Sequence, residues 1–202
     1  MLAIIDYGMG NIRSVGNALD YLAVPYTITS DPAVISTSER IIIPGVGSFR
    51  QAMENLNSRG LTKAIRAAAD RGTPILGICL GMQLLATHGE EDGDSEGIGL
   101  IPGRVTRLDA HGERIPHIGF NTAVPTKPST LFSTDVGADY YFVHSYHFVC
   151  ADEDDVSART EYGTPFTAAV ERGAVFGTQF HPEKSQSNGL RVLKRFCEVP
   201  VC

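Results

Sequence analysis

The sequence predicts an α/β fold: a mixed central sheet, parallel at its core, flanked by helices and extended by additional antiparallel strands. Three observations carry this. The first half alternates short continuous runs of Ile, Val and Leu with helical segments, the βαβα rhythm of buried parallel strands. Between those runs, apolar residues recur at helical spacing. After about Gly97 the segments become short, β-branched and separated by turns, the pattern of antiparallel strands added to a parallel core.

Each element follows in order. LAIID opens as a strand. In IRSVGNALDYL, residues Ile12, Val15, Leu19 and Leu22 form one apolar stripe that would lie on a sheet. YTIT and RIIIPG read as the next strands, then one helix ending near Asp70, then the strand TPILGIC. Beyond Gly97, the segments GLIPGRVTRL, RIPHIGF, DYYFVHSYHFVC, VSARTEY, PFTAAVE and AVFGTQF are expected as mostly antiparallel strands. SNGLRVLKRFC closes the chain as an amphipathic helix, with Leu190, Leu193 and Phe196 on one face. No linker, repeat or low-complexity run interrupts residues 1–202, so one domain is expected.

Composition excludes several function classes. The 202 residues are 43% hydrophobic and carry a formal net charge of −6 with no basic tract, which argues against a phosphate-binding nucleic-acid surface. The first apolar run is too short for a signal peptide, and no stretch approaches the ~20 residues that span a bilayer. Cys79, Cys150, Cys197 and Cys202 lack CxxC pairing, which favours a reducing compartment. A cytoplasmic protein without a membrane partner is the expectation.

The chemistry centres on GICLGMQ, residues 77–83. A nucleophile framed by glycines, after a buried strand and before a helix, is the recipe of a nucleophile elbow. Gly77 and Gly81 frame Cys79 in this way, and a helix N-terminus there would favour the thiolate. The local pattern reads equally as a small cysteine packed in a βα turn.

A thiol with an ordinary pKa of about 8.5 needs a base. His181 ends the apolar run VFGTQFHPE, and Glu183 two residues on falls on the same side of an extended chain, where it can orient the imidazole. The other histidines offer less. His144 and His147 in HSYH would sit on opposite faces of one strand, His111 and His117 lie in or beside a turn as surface or structural residues, and His88 follows the elbow helix. No metal site is expected.

The glycine-rich loops fit no full phosphate motif, since GMGNIR places Arg13 where a dinucleotide fingerprint needs glycine, and no Walker sequence exists. EEDGDSEG begins like a calcium loop but has Gly103 at the twelfth position, so it is expected as a solvated loop, one of whose acids can face a ligand amine. The strand ending in Pro44-Gly45-Val46-Gly47 presents backbone amides that can stabilise an oxyanion, or forms an ordinary βα turn.

With PGVGSF, GICLGMQ and HPEKS in this order, the chain resembles the class I, triad-type glutamine amidotransferases. IIDYGMGN, GIGLIPG, PHIGFN and YYFVHSY spread the resemblance over nearly the whole length. It implies a flavodoxin-like α/β fold, hydrolysis of L-glutamine to glutamate and ammonia, and no cofactor. Cys79 would be the nucleophile, His181 the acid and base, and Glu183 its orienting partner. Val46, Gly47 and Leu80 would form the oxyanion hole. Gln83, Glu91, Ser145 and Tyr146 would hold the amino-acid head of glutamine.

DYGMGN, PHxGxN and HPEKS narrow the resemblance to members that form a heterodimer with a separate (β/α)8-barrel cyclase. That cyclase uses the ammonia to make imidazole glycerol phosphate and an aminoimidazole carboxamide ribotide for histidine and purine synthesis. Met9, Asn11, Phe120, Asn121 and Lys184 match positions that face this partner. Phe120 stands where relatives usually carry Trp, and the chain contains no Trp. Phe keeps the aromatic contact and loses the indole N–H. The alternative weighed on that difference is a paralogous glutaminase serving surface-polysaccharide sugar synthesis; a scaffolding subunit and a cysteine hydrolase with an open cleft fit the motifs less well.

Overall fold

The computed structural model describes residues 1–132 and 136–201; Cys202 lies outside them. Five strands, β1 (Leu2–Ile5), β2 (Tyr26–Thr29), β3 (Arg40–Ile43), β4 (Ile75–Ile78) and β13 (Val175–Thr178), pair in parallel in the order β2-β1-β3-β4-β13. The sheet continues antiparallel through β12 (Thr164–Arg172), β11 (Val156–Tyr162), β8 (His117–Pro125) and β9 (Ala138–His144). A second sheet has the order β10-β7-β5-β6, formed by β10 (Tyr146–Cys150), β7 (Gly103–Arg107), β5 (His88–Gly89) and β6 (Ser95–Glu96).

Alternation along the parallel strands builds two apolar layers. Leu2, Ile4, Ile42, Leu76 and Ile78 pack in one cluster; Ile5, Ile41, Ile43 and Ile75 pack in the other. The first layer is covered by helix α1 (Ile12–Tyr21) and helix α6 (Gln186–Glu198), through Val15, Leu19, Val192, Leu193 and Phe196. Helices α2 (Pro32–Thr37), α3 (Phe49–Ser58), α4 (Leu61–Asp70) and α5 (Leu80–Leu84) cover the second. Ile12, Leu22 and Leu190 pack partly buried against the first layer, so both anticipated stripes face the sheet.

Several expectations change. The single helix ending near Asp70 is two, because Gly60 adopts a left-handed φ of 70° between α3 and α4. Helix α2 was unanticipated although DP marks it: the Asp31 carboxylate accepts from Ala33 N–H, and Pro32 takes the first turn. AVFGTQF supplies the fifth parallel strand, antiparallel only to β12. DYYFVHSYHFVC is not one strand; Ser145 separates β9 in the large sheet from β10 in the small one. Residues 95–96 of the acidic loop pair with 88–89. Among the described residues, no helix is long and apolar enough to cross a membrane.

Candidate active site

The C-terminal ends of β1, β3, β4 and β13 converge, as expected for ligand sites in parallel α/β sheets. Cys79 follows β4 with φ 54° and ψ −109°, a region that non-glycine residues rarely occupy. Its framing glycines are steric necessities. A Cβ on Gly77 would lie 2.5 Å from the Gly81 carbonyl oxygen, and one on Gly81 only 1.8 Å from that of Ile43. Helix α5 spans five residues, so the dipole expected behind the sulfur reduces to that of one turn. Leu80, its first residue, contributes an N–H that has no intrahelical acceptor.

His181 sits just beyond β13, is 1% exposed, and shares its proton on Nδ1 with Glu183 Oε1 at 2.8 Å. Burial, the largest influence, lowers the imidazole pKa, but Cys79 and Glu183 together outweigh it and leave the ring more basic than usual. Its Nε2 is buried and has no hydrogen-bond partner meeting ordinary geometry among the described residues. Asn11 Nδ2 approaches Glu183 Oε1 at 3.5 Å while Asn11 Oδ1 accepts from Ser14. Both contacts fall on Oε1 of Glu183, while its Oε2 is buried with no partner among the described residues.

A cavity of about 200 Å³ opens on the sulfur, below the ~300–1,000 Å³ of drug-sized sites and suited to a small metabolite. Its walls bring together Cys79, the anticipated oxyanion residues Val46, Gly47 and Leu80, and the anticipated substrate residues Gln83, Glu91, Ser145 and Tyr146. Tyr7, buried and kept protonated by burial and the neighbouring Cys79, donates to Pro44 O at 2.8 Å and so anchors the glycine loop. Glu91 Oε2 accepts from Phe49 N–H; burial first, and Asp92 second, raise its pKa against that bond.

Gln179 is a site residue the sequence reading missed. Fully buried, it donates from Nε2 to Cys79 Sγ at 3.8 Å and accepts from Gln83 Nε2 at 3.1 Å. Gln83 Nε2 also donates to Tyr146 O at 2.9 Å. With both amide hydrogens engaged, Gln83 has only Oε1 left to offer a ligand. The signal for Gln179 was available: it lies two residues before His181, on the same side of the chain.

Of the residues expected to face a partner, Met9 lies against the Gly47 loop of this cavity. A Cβ on Gly47 would meet Met9 Cε at 2.6 Å, and Lys184 Nζ lies 5.7 Å from the Tyr141 ring, which packs edge-on against Phe120 at 5.6 Å. Phe120 is 52% exposed and Ile118 is 60% exposed, an apolar outer face on β8. Asn121 differs from expectation: its amide is turned inward, donating to Glu161 O and accepting from Thr122 N–H. His117, expected in or beside a turn as a surface or structural residue, begins β8 and is buried, because residues 117, 119, 121 and 123 take the inner side while Ile118, Phe120 and Val124 point out.

Residues 3–199 match the family model described as "Glutamine amidotransferase class-I". The chain is 51% identical to "Imidazole glycerol phosphate synthase subunit HisH" of Moorella thermoacetica, over 98% of this chain and 94% of that protein. It is 48% identical to the protein of the same name from Geobacillus kaustophilus, over 98% and 97%. Among solved structures, "Structure of PurLQS from Thermotoga maritima" superposes with a TM-score of 0.77 at 21% identity, covering 98% of this chain and 97% of that one. A "Crystal structure of glutamine amidotransferase" also gives 0.77, at 19% identity and 97% coverage of each chain. At such identities the superpositions speak for the fold, whereas the family model and the two relatives span nearly all of the sequence. The chain belongs to the class I glutamine amidotransferases.

Proposed function

We propose that this chain, acting as one domain, is the glutaminase subunit of imidazole glycerol phosphate synthase. It hydrolyses L-glutamine and passes ammonia to a (β/α)8 cyclase subunit in histidine biosynthesis. The observation that carries this reading is the single cavity in which Cys79 meets amide donors on one side and Gln83, Glu91, Ser145 and Tyr146 on the other. The names of the two relatives support the partner and the pathway, and they favour this branch over surface-polysaccharide synthesis.

In the proposed cycle the glutamine ammonium meets Glu91 and Gln83 Oε1, and its side-chain amide reaches Cys79. The sulfur attacks the amide carbon while the proton passes to His181 Nε2, the buried ring nitrogen left free by the Nδ1 bond to Glu183. Backbone amides of Val46, Gly47 and Leu80 receive the negative oxygen of the tetrahedral adduct. His181 returns the proton to the leaving nitrogen, so ammonia departs and a thioester to Cys79 remains. His181 then takes a proton from water and hydroxide attacks the thioester; the C–S bond breaks, His181 gives that proton to the sulfur, and glutamate leaves with the thiol regenerated. Glu183 holds the imidazole so that Nε2 faces the sulfur.

Met9, Asn11, Phe120 and Lys184 border the face proposed to receive the cyclase, with Lys184 and Phe120 joined through Tyr141 and Asn121 behind it on the inner side of β8. A cytoplasmic heterodimer follows from this reading. The test is Cys79→Ala in the complex with cyclase: ammonia release from glutamine falls to background while the subunits still associate. Retained glutaminase activity would overturn the assignment.

A further inference from the structure

Two buried histidines belong to none of these steps. His144 ends β9 and His117 begins β8, paired across the ladder and 6% and 2% exposed. His144 Nδ1 lies 2.9 Å from Tyr146 O, His144 Nε2 lies 3.1 Å from His117 Nδ1, and His117 Nε2 lies 3.3 Å from Asn121 Nδ2.

The ends of this line fix every proton in it. The Tyr146 carbonyl can only accept, so His144 carries its hydrogen on Nδ1 and presents a bare Nε2. That nitrogen must receive a hydrogen, so His117 carries its own on Nδ1 and presents a bare Nε2 in turn. The Asn121 amide is held nitrogen-inward by Glu161 O and Thr122 N–H, so it supplies the donor. All donors point one way, from β8 toward the cavity. Burial, which pushes His144 down to about 3 and His117 down to about 4, keeps both rings neutral as this line requires. His117 is wedged between aromatic rings, 4.0 Å from Tyr162 and 5.1 Å from Phe142, which fixes its plane.

The receiving carbonyl is the one that also accepts from Gln83. We propose that His144 is a positioning residue for glutamine: supported by His117 and Asn121, it fixes the Tyr146 carbonyl and so holds Gln83 with Oε1 turned to the substrate ammonium. The inner side of the strand that carries the docking surface is thereby tied to the amino-acid head of the substrate. This rests on the glutaminase reading above.

The experiment is steady-state glutamine hydrolysis by the complex with cyclase, with KM and kcat measured separately. His144→Gln loses the Nδ1 donor and is expected to raise the glutamine KM about tenfold, the worth of one positioning hydrogen bond, with kcat within about twofold. His144→Asn, whose amide nitrogen can take the Nδ1 place, is expected to stay within about threefold of wild type. Asn121→Ala and His117→Phe cut the same line, so each raises KM and their combination raises it no further than His117→Phe alone. Equal KM in all variants, a loss confined to kcat, or fully additive effects of Asn121→Ala and His117→Phe would each overturn the proposal. A merely structural role would lower the melting temperature and leave KM unmoved. An inactive wild-type complex would instead sink the glutaminase reading itself.

Discussion

The strained backbone at Cys79 makes a prediction with an unusual sign. At ordinary positions glycine is less stable than alanine by about 0.5–1 kcal/mol, because glycine loses more conformational freedom on folding. Cys79 holds φ 54° and ψ −109°, where a side chain costs about 1–3 kcal/mol that glycine escapes. Taking mid-range values, Cys79→Gly should be more stable than Cys79→Ala by about 1 kcal/mol. For a chain of this size that corresponds to a melting temperature about 3 °C higher. Comparing the two variants with each other removes the contribution of the sulfur, since both lack it, and both should fail to release ammonia. The assay is thermal unfolding of the two proteins side by side, backed by urea titration. A glycine variant that melts below the alanine variant would refute the claim that the elbow stores strain at this residue.

Two further outcomes test the surroundings. Gly81→Ala must drive α5 away from the end of β3, since the new methyl would fall 1.8 Å from the Ile43 carbonyl oxygen; displacement of Cys79 on this scale should lower kcat/KM about a hundredfold, and activity within twofold of wild type would contradict the packing argument. The buried histidines make stability fall with acid. Their folded pKa values, about 4 for His117 and about 3 for His144, lie below the unfolded value of about 6.5. Below that value the unfolded state binds protons that the native state refuses, so the contribution is complete at neutral pH and is lost as pH falls. From about pH 6.5 to about pH 5 each ring should remove about 2 kcal/mol, and His117→Phe should lose correspondingly less over that window in urea unfolding. An identical pH dependence in wild type and variant would refute the burial of a neutral His117.

The parallel core and the elbow were legible because both are written in local patterns. Continuous apolar runs mark strands buried on both faces, and the glycines around Cys79 are demanded by contacts within one strand–helix unit and its neighbour. His181 and Glu183 were legible for the same reason, lying two residues apart just after a strand. The cavity wall of Gln83, Glu91, Ser145 and Tyr146 was reached only through motif resemblance, because no periodicity reports that Ser145 breaks a strand between two sheets or that Glu91 reaches across to cap α3.

What the sequence by itself determined about this protein is therefore the set of buried faces and the chemical groups at strand ends: a thiol, an imidazole, a carboxylate and an amide-rich loop. What only the tertiary structure decided is who meets whom. β13 lies beside β4 although about a hundred residues separate them, and this pairing sets Gln179 and His181 against Cys79. The pairing of β8 with β9 places His117 against His144, and the inner side of β8 claims Asn121. The physical reason is that a period-two pattern specifies which side chains share a face, while the partner strand is chosen by the packing of the whole sheet.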